Sequence, residues 1–442
     1  DVLHWWHEPY QGVRTDIRDD LLFLPYVAAQ YVRATGDANA LDVCVPYLQD
    51  MPIPDGCSDL YGEMQPSAVC ESLHQHIMRA FRRADRTGEH GLALMGSGDW
   101  NDGMNRIGAK GRGESVWLSE FMAVCAMEYA SVAPNGEDRA YLTALSDRMR
   151  AAVETCGWDG KWYLRAYDDE GIHLGGADNA CCRIDVISQA WAVLAGLDAG
   201  RCASAMDAVW EQLVDEKTSA VRLLTPPFDG ESDPGYIAAY PPGIRENGAQ
   251  YTHAACWAAL AYARMGDSKR AHAIIDMLLP IRHSDSPERA AIYKTEPYAL
   301  AADVYFDDLH IGRGGWTWYT GAAAWLQMAI FELLGFEMRD DRVRIHALLG
   351  DWESCALTLR YKSAQYRLIC TRTARQITLD GEMAAGDSIR LTDDGKTHTA
   401  LFPARKTTPP PRAAGEMPDA ETALAQEGNS QYSSNKMAVD WQ

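Results

Sequence analysis

Two carboxylates, an indole and an amide occupy four consecutive positions in the run MGSGDWNDGMNRIG, residues 95–108. Glycine costs a helix interior about 1 kcal/mol relative to alanine, so this glycine-rich run is predicted to be a loop. In a structural interpretation, Asp99 and Asp102 cap backbone amides while Trp100 packs on the core. In a catalytic interpretation, the apolar indole raises the pKa of a neighbouring carboxyl group, which then donates a proton. This loop by itself favours the structural interpretation.

Two further loops combine charged, aromatic and glycine residues ahead of predicted helices. The run YPPGIRENGAQYTHAACWAAL (240–260) places His253 at a helix start, where the helix dipole and free N–H groups attract an anion. A capped, half-buried histidine fits the same pattern. The run HIGRGGWTWYTGAAAW (310–325) brings Thr320 and Gly321 to the start of an apolar helix, and a hydroxyl with a glycine N–H forms an anion-binding nest there.

A fourth loop, GVRTDIRDDLLFLPY (12–26), carries Arg14, Arg18, Asp19 and Asp20. Its structural interpretation is an ordinary acidic first turn of the following helix. Each of the four loops is a weak signal on its own. Four polar, aromatic, glycine-rich loops at one mouth of a helical domain make a stronger case together.

The elements that must hold these loops are helices through the first three-quarters of the chain. Helical spacing of apolar residues predicts a helix that stops at Gly36 and another over 67–88, which opens with a Ser N-cap and has Glu71 in its first turn. Further helices are predicted near 115–131, 138–156, 185–197, 202–214, 250–265, 268–279 and 317–335. Long loops, 51–66, 95–114, 225–249 and 306–316, separate them and are expected to be functional.

Alternating apolar and polar residues in the last quarter predict antiparallel strands, with Asp-Gly turns at 380–381 and 394–395. The run from about residue 406 onward is rich in proline and polar residues and predicts a disordered tail. The periodicity indicates a mainly α fold, either a toroid or a solenoid. The predicted domains are a helical catalytic domain over 1–338, a small C-terminal antiparallel β-sandwich over 339–405, and the tail over 406–442.

Composition narrows the function classes. The net charge of -21, from 62 acidic and 41 basic residues, disfavours nucleic acid and membrane surfaces as partners. Eleven cysteines without a CxxC pair predict mostly buried thiols in a reducing, cytoplasmic compartment. Fourteen tryptophans and twenty tyrosines suit stacking on sugar rings, or equally a large aromatic core. Because the chain begins with Asp1 rather than Met, we expect a segment of a longer polypeptide.

Five motifs in matching order resemble glycoside hydrolase family 94, the inverting β-glycoside phosphorylases, over roughly residues 1–400. They are HWWHEPYQGVRTDIRDDLLFLPYV, GSGDWNDGMNRIG, YPPGIRENGAQYTHAACW, KTEPYALAADVY and GRGGWTWYTGAAAW. Their details are most similar to the C-terminal phosphorylase-like region of cyclic β-1,2-glucan synthases and to 1,2-β-oligoglucan phosphorylases. The resemblance implies an (α/α)6 barrel, complete or without its first helix, followed by a β-sandwich. We expect this segment to lack the N-terminal β-sandwich and helical linker of such relatives, and the resemblance leaves a homodimer open.

The resemblance assigns roles to eight residues. Asp102 is the implied general acid; the implied phosphate-binding residues are Arg14, His253, Thr320 and Gly321; the implied sugar-binding residues are Asp20, Trp100 and Glu246. An inverting hydrolase needs a second carboxylate as the base that activates water. A phosphorylase replaces the water and its base with inorganic phosphate, an anionic nucleophile that cations and N–H groups hold. The implied product is α-glucose 1-phosphate, with inorganic phosphate as co-substrate and no metal or organic cofactor. The run HWWHE, with His4, His7 and Glu8, has a spacing that fits no helix-borne metal site.

Two departures from the family pattern concern the phosphate contacts. Synthase-like relatives tend to read Arg-Ile-Ser where this chain has Asp16-Ile17-Arg18, which adds an acid beside Arg14. Disaccharide phosphorylases tend to carry a glutamine shortly after EPY, where this chain has Ala301-Ala302, and this difference favours the β-1,2-glucan branch.

Two alternative functions remain open from the sequence. An inverting hydrolase on the same fold would need Asp19, Asp20 or Glu246 as the base that faces a water. A non-catalytic glucan-binding module would have no need of a phosphate site, so the anion-binding residues speak against it.

Overall fold

The computed structural model describes residues 2–49, 51–54, 56–230, 233–317, 321–405 and 439–440. The α-helices of the described chain are α1 (Asp20–Thr35), α2 (Leu73–Ala84), α3 (Val116–Ala130), α4 (Gly136–Cys156), α5 (Val186–Leu194), α6 (Ala199–Gln212), α7 (Thr252–Met265), α8 (Ser268–Leu278), α9 (Pro287–Tyr293) and α10 (Ala322–Leu334). None of these helices combines the length and apolarity that crossing a bilayer requires. The chain forms two compact units, residues 1–261 with 273–326, and residues 262–272 with 327–442.

The strands of the first unit are short and mostly border the loops between helices. They are β1 (Trp5–His7), β2 (Gln11–Thr15), β3 (Cys44–Leu48), β4 (Asp59–Glu63), β5 (Pro66–Ser72), β6 (Ala93–Leu94), β7 (Glu114–Ser115), β8 (Ala166–Tyr167), β9 (His173–Leu174), β10 (Ile184–Asp185), β11 (Val214–Asp215), β12 (Ala220–Val221), β13 (Leu224–Thr225), β14 (Gln250–Tyr251) and β15 (Asp303–Val304). Strands β7, β10 and β14 each end where α3, α5 and α7 begin, so paired backbone fixes the start of these three helices.

The helices of the first unit divide by burial into an inner and an outer set. Twelve of the fifteen residues of α3 and eight of the nine of α5 are buried, so both are surrounded by protein. In contrast, only five of the 21 residues of α4 are buried, which leaves one face of that helix to solvent. The contacts of α3 with α4 and of α5 with α6 pair one mostly buried helix with one more exposed helix, and α1 packs against α2.

An aromatic cluster fills the centre of the first unit. Trp117 of α3, Trp191 of α5, Trp257 of α7 and Trp325 of α10 are all buried. Neighbouring ring centroids lie 6.2 Å apart for Trp117 and Trp191, 5.2 Å for Trp191 and Trp257, and 5.4 Å for Trp257 and Trp325. These distances are typical of stabilising aromatic pairs. Part of the tryptophan bias in the sequence therefore serves the core.

The helix ends confirm one sequence prediction and correct another. Helix α1 stops at Gly36, whose φ of 73° supplies the left-handed C-cap. The helix predicted over 67–88 is wrong at both ends: α2 starts after Ser72, which caps it through a capping box with Gln75, and it ends at Ala84. Residues 66–72 instead form β5, which pairs with β3, a long-range contact that local periodicity does not reveal.

The strands of the second unit form two sheets around one core. They are β16 (Glu337–Arg339), β17 (Arg342–Arg344), β18 (Ser354–Tyr361), β19 (Ala364–Thr371), β20 (Thr378–Leu379), β21 (Glu382–Met383), β22 (Ile389–Arg390), β23 (Thr397–Pro403) and β24 (Val439–Asp440). One sheet has the order β21-β20-β23-β19-β18-β24 and the other the order β16-β17-β22. Val343 and Ile389 of the smaller sheet share a hydrophobic cluster with Leu359 and Leu368 of the larger one.

The prediction of antiparallel strands is wrong for one pair. β18 and β19 are antiparallel, but β19 and β23 run parallel over seven residue pairs. Strands β20 to β22 lie between β19 and β23 in the chain and form the crossover that parallel pairing requires. The predicted turn at 380–381 joins β20 to β21, with both residues at positive φ, whereas 394–395 does not close a hairpin. The predicted tail, apart from β24, lies outside the described residues.

Six of the eleven cysteines are buried thiols, in agreement with the prediction. Cys44 and Cys70 form a disulfide between β3 and β5, which the sequence analysis did not predict. Of the nine other cysteines, six are buried and Cys57 is exposed.

Candidate active site

The loop 95–108 lies against the loop 12–26, and the close approach depends on glycine. The backbone N–H of Ser97 donates to the Asp16 carbonyl and that of Arg18 donates to the Gly98 carbonyl. A Cβ at Gly96, which has a φ of 67°, would lie 2.3 Å from the Asp16 carbonyl oxygen. No other residue fits there without moving backbone. This contact brings two of the predicted chemical loops together.

Asp99 has the structural role that one interpretation of its loop gave it. Its carboxylate accepts two hydrogen bonds of 2.6 Å from Arg165 and one of 2.7 Å from the Ser115 hydroxyl. It also accepts the Asn101 backbone N–H at 3.0 Å, which closes a turn. Arg165 and Asp99 are completely buried, and Arg165 also bonds Asp185 at 3.1 Å. This buried ion network fixes the loop 95–108 to the core of the first unit.

Asp102 occupies the opposite environment, three residues further on. It begins a 3-10 turn, and its side chain is 37% exposed. It lines a cavity of about 700 Å³, a size typical of small-ligand sites. The predicted site residues that line this same cavity are Asp20, Trp100, Asp102, Glu246, His253 and Gly321. The glycine-rich loops, far apart in the chain, therefore converge as expected.

His4 is a cavity residue that the sequence analysis did not select. Its Nδ1 lies 3.1 Å and 3.2 Å from the two carboxylate oxygens of Asp20, and its Nε2 lies 3.6 Å from Oδ2 of Asp102. The carboxylates of Asp102 and Asp20 raise the pKa of His4 to about 10. The imidazole is therefore a cation at neutral pH, held between two acids.

His4 and His7 do not act as a pair. His7 Nε2 lies 3.0 Å from the Tyr61 hydroxyl, and its Nδ1 lies 3.2 Å from the Glu8 carbonyl oxygen. The two histidines of HWWHE thus contact different groups.

Tyr236 is a second residue that the sequence analysis missed. It lies on a 3-10 turn, Tyr236–Ala239, inside the long loop 225–249. Burial, the Asp102 charge and a hydrogen bond with Asp102 raise the pKa of the Tyr236 hydroxyl. The loop is fixed to the Asp102 loop because the Arg106 N–H donates to the Pro234 carbonyl. A tyrosine in a long loop carries no signal in a single sequence.

Trp100 and His253 contact each other in the wall of the cavity. The Trp100 indole N–H donates a hydrogen bond of 3.2 Å to Nδ1 of His253. Burial lowers the pKa of His253 to about 3, so the ring is neutral. With Nδ1 accepting, the ring proton is on Nε2, and this buried atom has no partner among the described residues. A neutral donor therefore lies available at the cavity wall.

Gly321 lies next to that donor. A Cβ placed on Gly321 would be 3.8 Å from Cε1 of His253. His253 is in the first turn of α7, and Gly321 immediately precedes α10. Two helix N-termini, each with unsatisfied backbone N–H groups, thus meet at the His253 ring. Thr320, the remaining predicted member of this nest, lies outside the described residues.

Arg245 and Glu246 form another wall of the cavity. The Arg245 guanidinium lies over the Trp316 ring at 4.1 Å and over the Tyr240 ring at 5.0 Å. Its Nε is 3.4 Å from Oε2 of Glu246, and burial raises the pKa of that carboxyl. Asn247 holds the loop: its side chain bonds the backbone of Phe228 and of Tyr240.

Arg14 is the described predicted residue that does not line the cavity. It lies on β2, opposite Leu60 of β4. The acid at position 16, Asp16, accepts a 2.9 Å hydrogen bond from Arg18. The departure from the family pattern at 16–18 is therefore an internal ion pair.

Comparison with known proteins identifies the class. Residues 1–335 match the family model described as the glycosyl hydrolase 94 superfamily, catalytic domain. The chain belongs to glycoside hydrolase family 94, which confirms the resemblance seen in the five motifs. Its relatives are named as glycoside phosphorylases, which are glycosyltransferases, and as a β-glucan synthase.

Three relatives define its neighbourhood within that family. The chain is 41% identical over 384 residues to cyclic β-(1,2)-glucan synthase NdvB of Rhizobium meliloti (strain 1021), which covers 85% of this chain and 14% of that protein. It is 32% identical over 389 residues to solabiose phosphorylase of Paenibacillus borealis, with 84% and 47% covered. It is 28% identical over 392 residues to N,N'-diacetylchitobiose phosphorylase of Vibrio proteolyticus, with 85% and 46% covered. The chain thus spans less than half the length of each relative.

Proposed function

We propose that this chain catalyses the reversible, inverting phosphorolysis of β-1,2-linked glucooligosaccharides to α-glucose 1-phosphate. It would do so as a segment of a larger glucan phosphorylase or cyclic glucan synthase. Asp102 protonates the glycosidic oxygen, and phosphate attacks the anomeric carbon from the opposite face. Phosphate is a co-substrate, and the reaction needs no metal or organic cofactor.

The cluster of available hydrogen-bond donors around His253 is the observation that carries the proposal. The unpartnered Nε2–H of a neutral His253 and the backbone N–H groups that precede α10 at Gly321 are donors for an anion. A neutral histidine costs no desolvated charge when the site is empty. Thr320 completes the proposed set, and Arg14, which does not line the cavity, would contribute its charge from strand β2. A water nucleophile would use none of these donors, so the arrangement favours phosphorolysis over hydrolysis.

The carboxylates support the same assignment. A hydrolase needs a charged base, but Asp19 is buried, and burial with the Asp20 charge raises its pKa well above the usual range. Burial also raises the pKa of Glu246, which suits a carboxyl group that binds a sugar hydroxyl. Asp20 is bonded to His4. Together with Trp100, Asp20 and Glu246 bind the donor glucose in this proposal.

Two observations support the β-1,2 linkage. NdvB, at 41% identity, is named for a β-(1,2)-glucan. Ala302 lines the cavity, close in sequence to the position where disaccharide phosphorylases tend to carry a glutamine. An alanine side chain is shorter and less polar than that of glutamine.

We also propose the architecture that the family implies. Helices α1, α3, α5, α7 and α10 would form the inner ring of an (α/α)6 barrel, and the two sheets of the second unit would form a β-sandwich. A homodimer and a cytoplasmic location are part of the proposal. Six buried thiols support that location, against the single Cys44–Cys70 disulfide.

The test is incubation of the chain with sophorose and longer β-1,2-glucooligosaccharides, with and without inorganic phosphate. We expect α-glucose 1-phosphate only when phosphate is present, and none from Asp102→Asn. Free glucose in the absence of phosphate would establish a hydrolase instead. Sugar binding without either product would mean that this segment only binds glucan or that turnover requires the rest of a longer polypeptide.

A further inference from the structure

The imidazole of His4 lies between the predicted acid, Asp102, and a second carboxylate, that of Asp20. Nδ1 faces Asp20 at 3.1 Å and Nε2 faces Asp102 at 3.6 Å, so both ring nitrogens are directed at acids. A histidine that merely fills space has no reason to direct both nitrogens to carboxylates in a cavity. Its side chain is 29% exposed, so it borders the cavity without projecting far into it.

We propose that His4 is a positioning residue that holds Asp102 and stores the proton that this acid delivers. The inference rests on the proposed function, because it assigns the origin of the proton given to the glycosidic oxygen. The resting state would be an imidazolium at His4 beside a carboxylate at Asp102. The reactive state would have the same proton on Oδ2 of Asp102 and a neutral imidazole.

The transfer balances in atoms and charge. The Nε2–H bond of His4 breaks and an O–H bond forms on Asp102, which then passes the proton to the glycosidic oxygen. The C–O bond electrons stay with the departing sugar, and a phosphate oxygen bonds the anomeric carbon. Hydrogen phosphate becomes the phosphate ester dianion, so its proton returns through solvent to His4. No other reactant is needed.

The surrounding charges suit a proton shared in this way. Asp20 faces the other nitrogen of His4 and would keep the ring oriented while the charge moves. The groups that act on His4 and Asp102 from the neighbouring elements are Asp19, Glu246, Tyr236, Tyr240 and Tyr251. All are acidic or neutral hydroxyl groups, so they favour a cation at His4. The raised pKa of His4, about 10, agrees with this charge balance.

The kinetic test compares the wild-type chain with His4→Gln and with the matched control His7→Gln. Glutamine retains a donor near Nε2 but cannot carry a proton. For His4→Gln we expect a fall of about 10- to 100-fold in kcat with an unchanged KM for phosphate. We also expect the alkaline limb of the kcat/KM profile, set near pH 10 by His4 in the wild type, to move to lower pH. His7→Gln should leave the limb in place.

The direction of the limb decides the matter. If His4 were only a nearby cation, its removal would make the acid hold its proton more tightly, and the limb would move up. A limb that moves up or stays fixed overturns the proposal. Failure of the proposed function is separate: it would show as no phosphate-dependent product from the wild-type chain, or as activity in Asp102→Asn.

A second measurement needs no turnover. In NMR titration of the wild-type chain with isotope-labelled histidine, assigned through His4→Gln, the His4 ring should stay protonated above about pH 8. Asp102→Asn should lower its titration midpoint. A His4 that titrates near the ordinary value of about 6.5 overturns the proposal whatever the activity.

Discussion

The Trp100 indole N–H donates a 3.2 Å hydrogen bond to Nδ1 of His253, 153 residues away in the chain. Trp100 follows the loop aspartate Asp99, and His253 lies in the first turn of α7. One side chain of the proposed sugar site thus sets the tautomer of one side chain of the proposed phosphate site. This hydrogen bond links the proposed sugar site to the proposed phosphate site.

Replacement of that donor should weaken phosphate binding. Trp100→Phe keeps an aromatic ring but loses the indole N–H, so both ring nitrogens of His253 can then carry the proton. The loss of one neutral hydrogen bond, about 0.5–1.5 kcal/mol, predicts a rise of about 2- to 10-fold in the KM for phosphate. Initial rates over a phosphate series measure it. Trp158→Phe, at a ring packed on Tyr163 and outside the cavity lining, is the control. An unchanged KM for phosphate in Trp100→Phe would contradict the tautomer argument.

Removal of the acid should stop turnover without unfolding the chain. Asp102→Asn retains shape and hydrogen-bonding capacity at a side chain that is 37% exposed. We expect kcat to fall by about 100- to 10,000-fold, the range for a general acid, with sugar affinity kept. Rates and calorimetric binding of sophorose measure the two effects. Asp207→Asn, on the exposed side of α6, should retain full activity.

The buried ion network below the loop should respond in stability. Arg165→Met leaves the carboxylates of Asp99 and Asp185 buried and unpaired. We expect a loss of about 3–5 kcal/mol in the free energy of unfolding, measured by urea denaturation. Arg282→Ala, which removes an exposed ion pair with Asp276, should cost no more than about 1 kcal/mol. Equal effects of the two changes would refute the structural role of Asp99.

The charge on His4 should make the folded chain less stable in alkali. Because its pKa is raised in the folded state, to about 10, its contribution is complete below the unfolded value of about 6.5 and is lost as the pH rises toward 10. The difference in unfolding free energy between wild type and His4→Gln should therefore shrink between these two pH values. Urea denaturation at several pH values measures it, and a constant difference would contradict the assignment.

More of the cavity-lining residues than of the residues and strands that hold them in place could be predicted from the sequence. Local signals marked only the glycine-rich loops as candidates, and the resemblance of five motifs to the family selected Asp102, Trp100, Glu246, His253 and Gly321 within them. All five line one cavity. The roles assigned to them remain predictions.

Residues whose contacts are distant in the chain could not be predicted from the sequence. Nothing near His4 indicates that it faces Asp102, and nothing near Tyr236 indicates the same. The periodicity predicts a helix for the residues of β5, because the strand that pairs with them, β3, lies in another segment of the chain. Parallel pairing of β19 with β23 likewise depends on a crossover that alternation cannot reveal.

The cluster of indoles beneath the site also makes the molecule its own optical probe. Trp100 lies 5.2 Å from Trp257, which adjoins Trp191 and Trp325, so light absorbed by any of these rings can migrate among them before emission. His253 is 4.7 Å from Trp257, close enough to influence its excited state. An anion or sugar that arrives at the cavity would therefore change the intrinsic fluorescence of the core, and binding can be followed without a label.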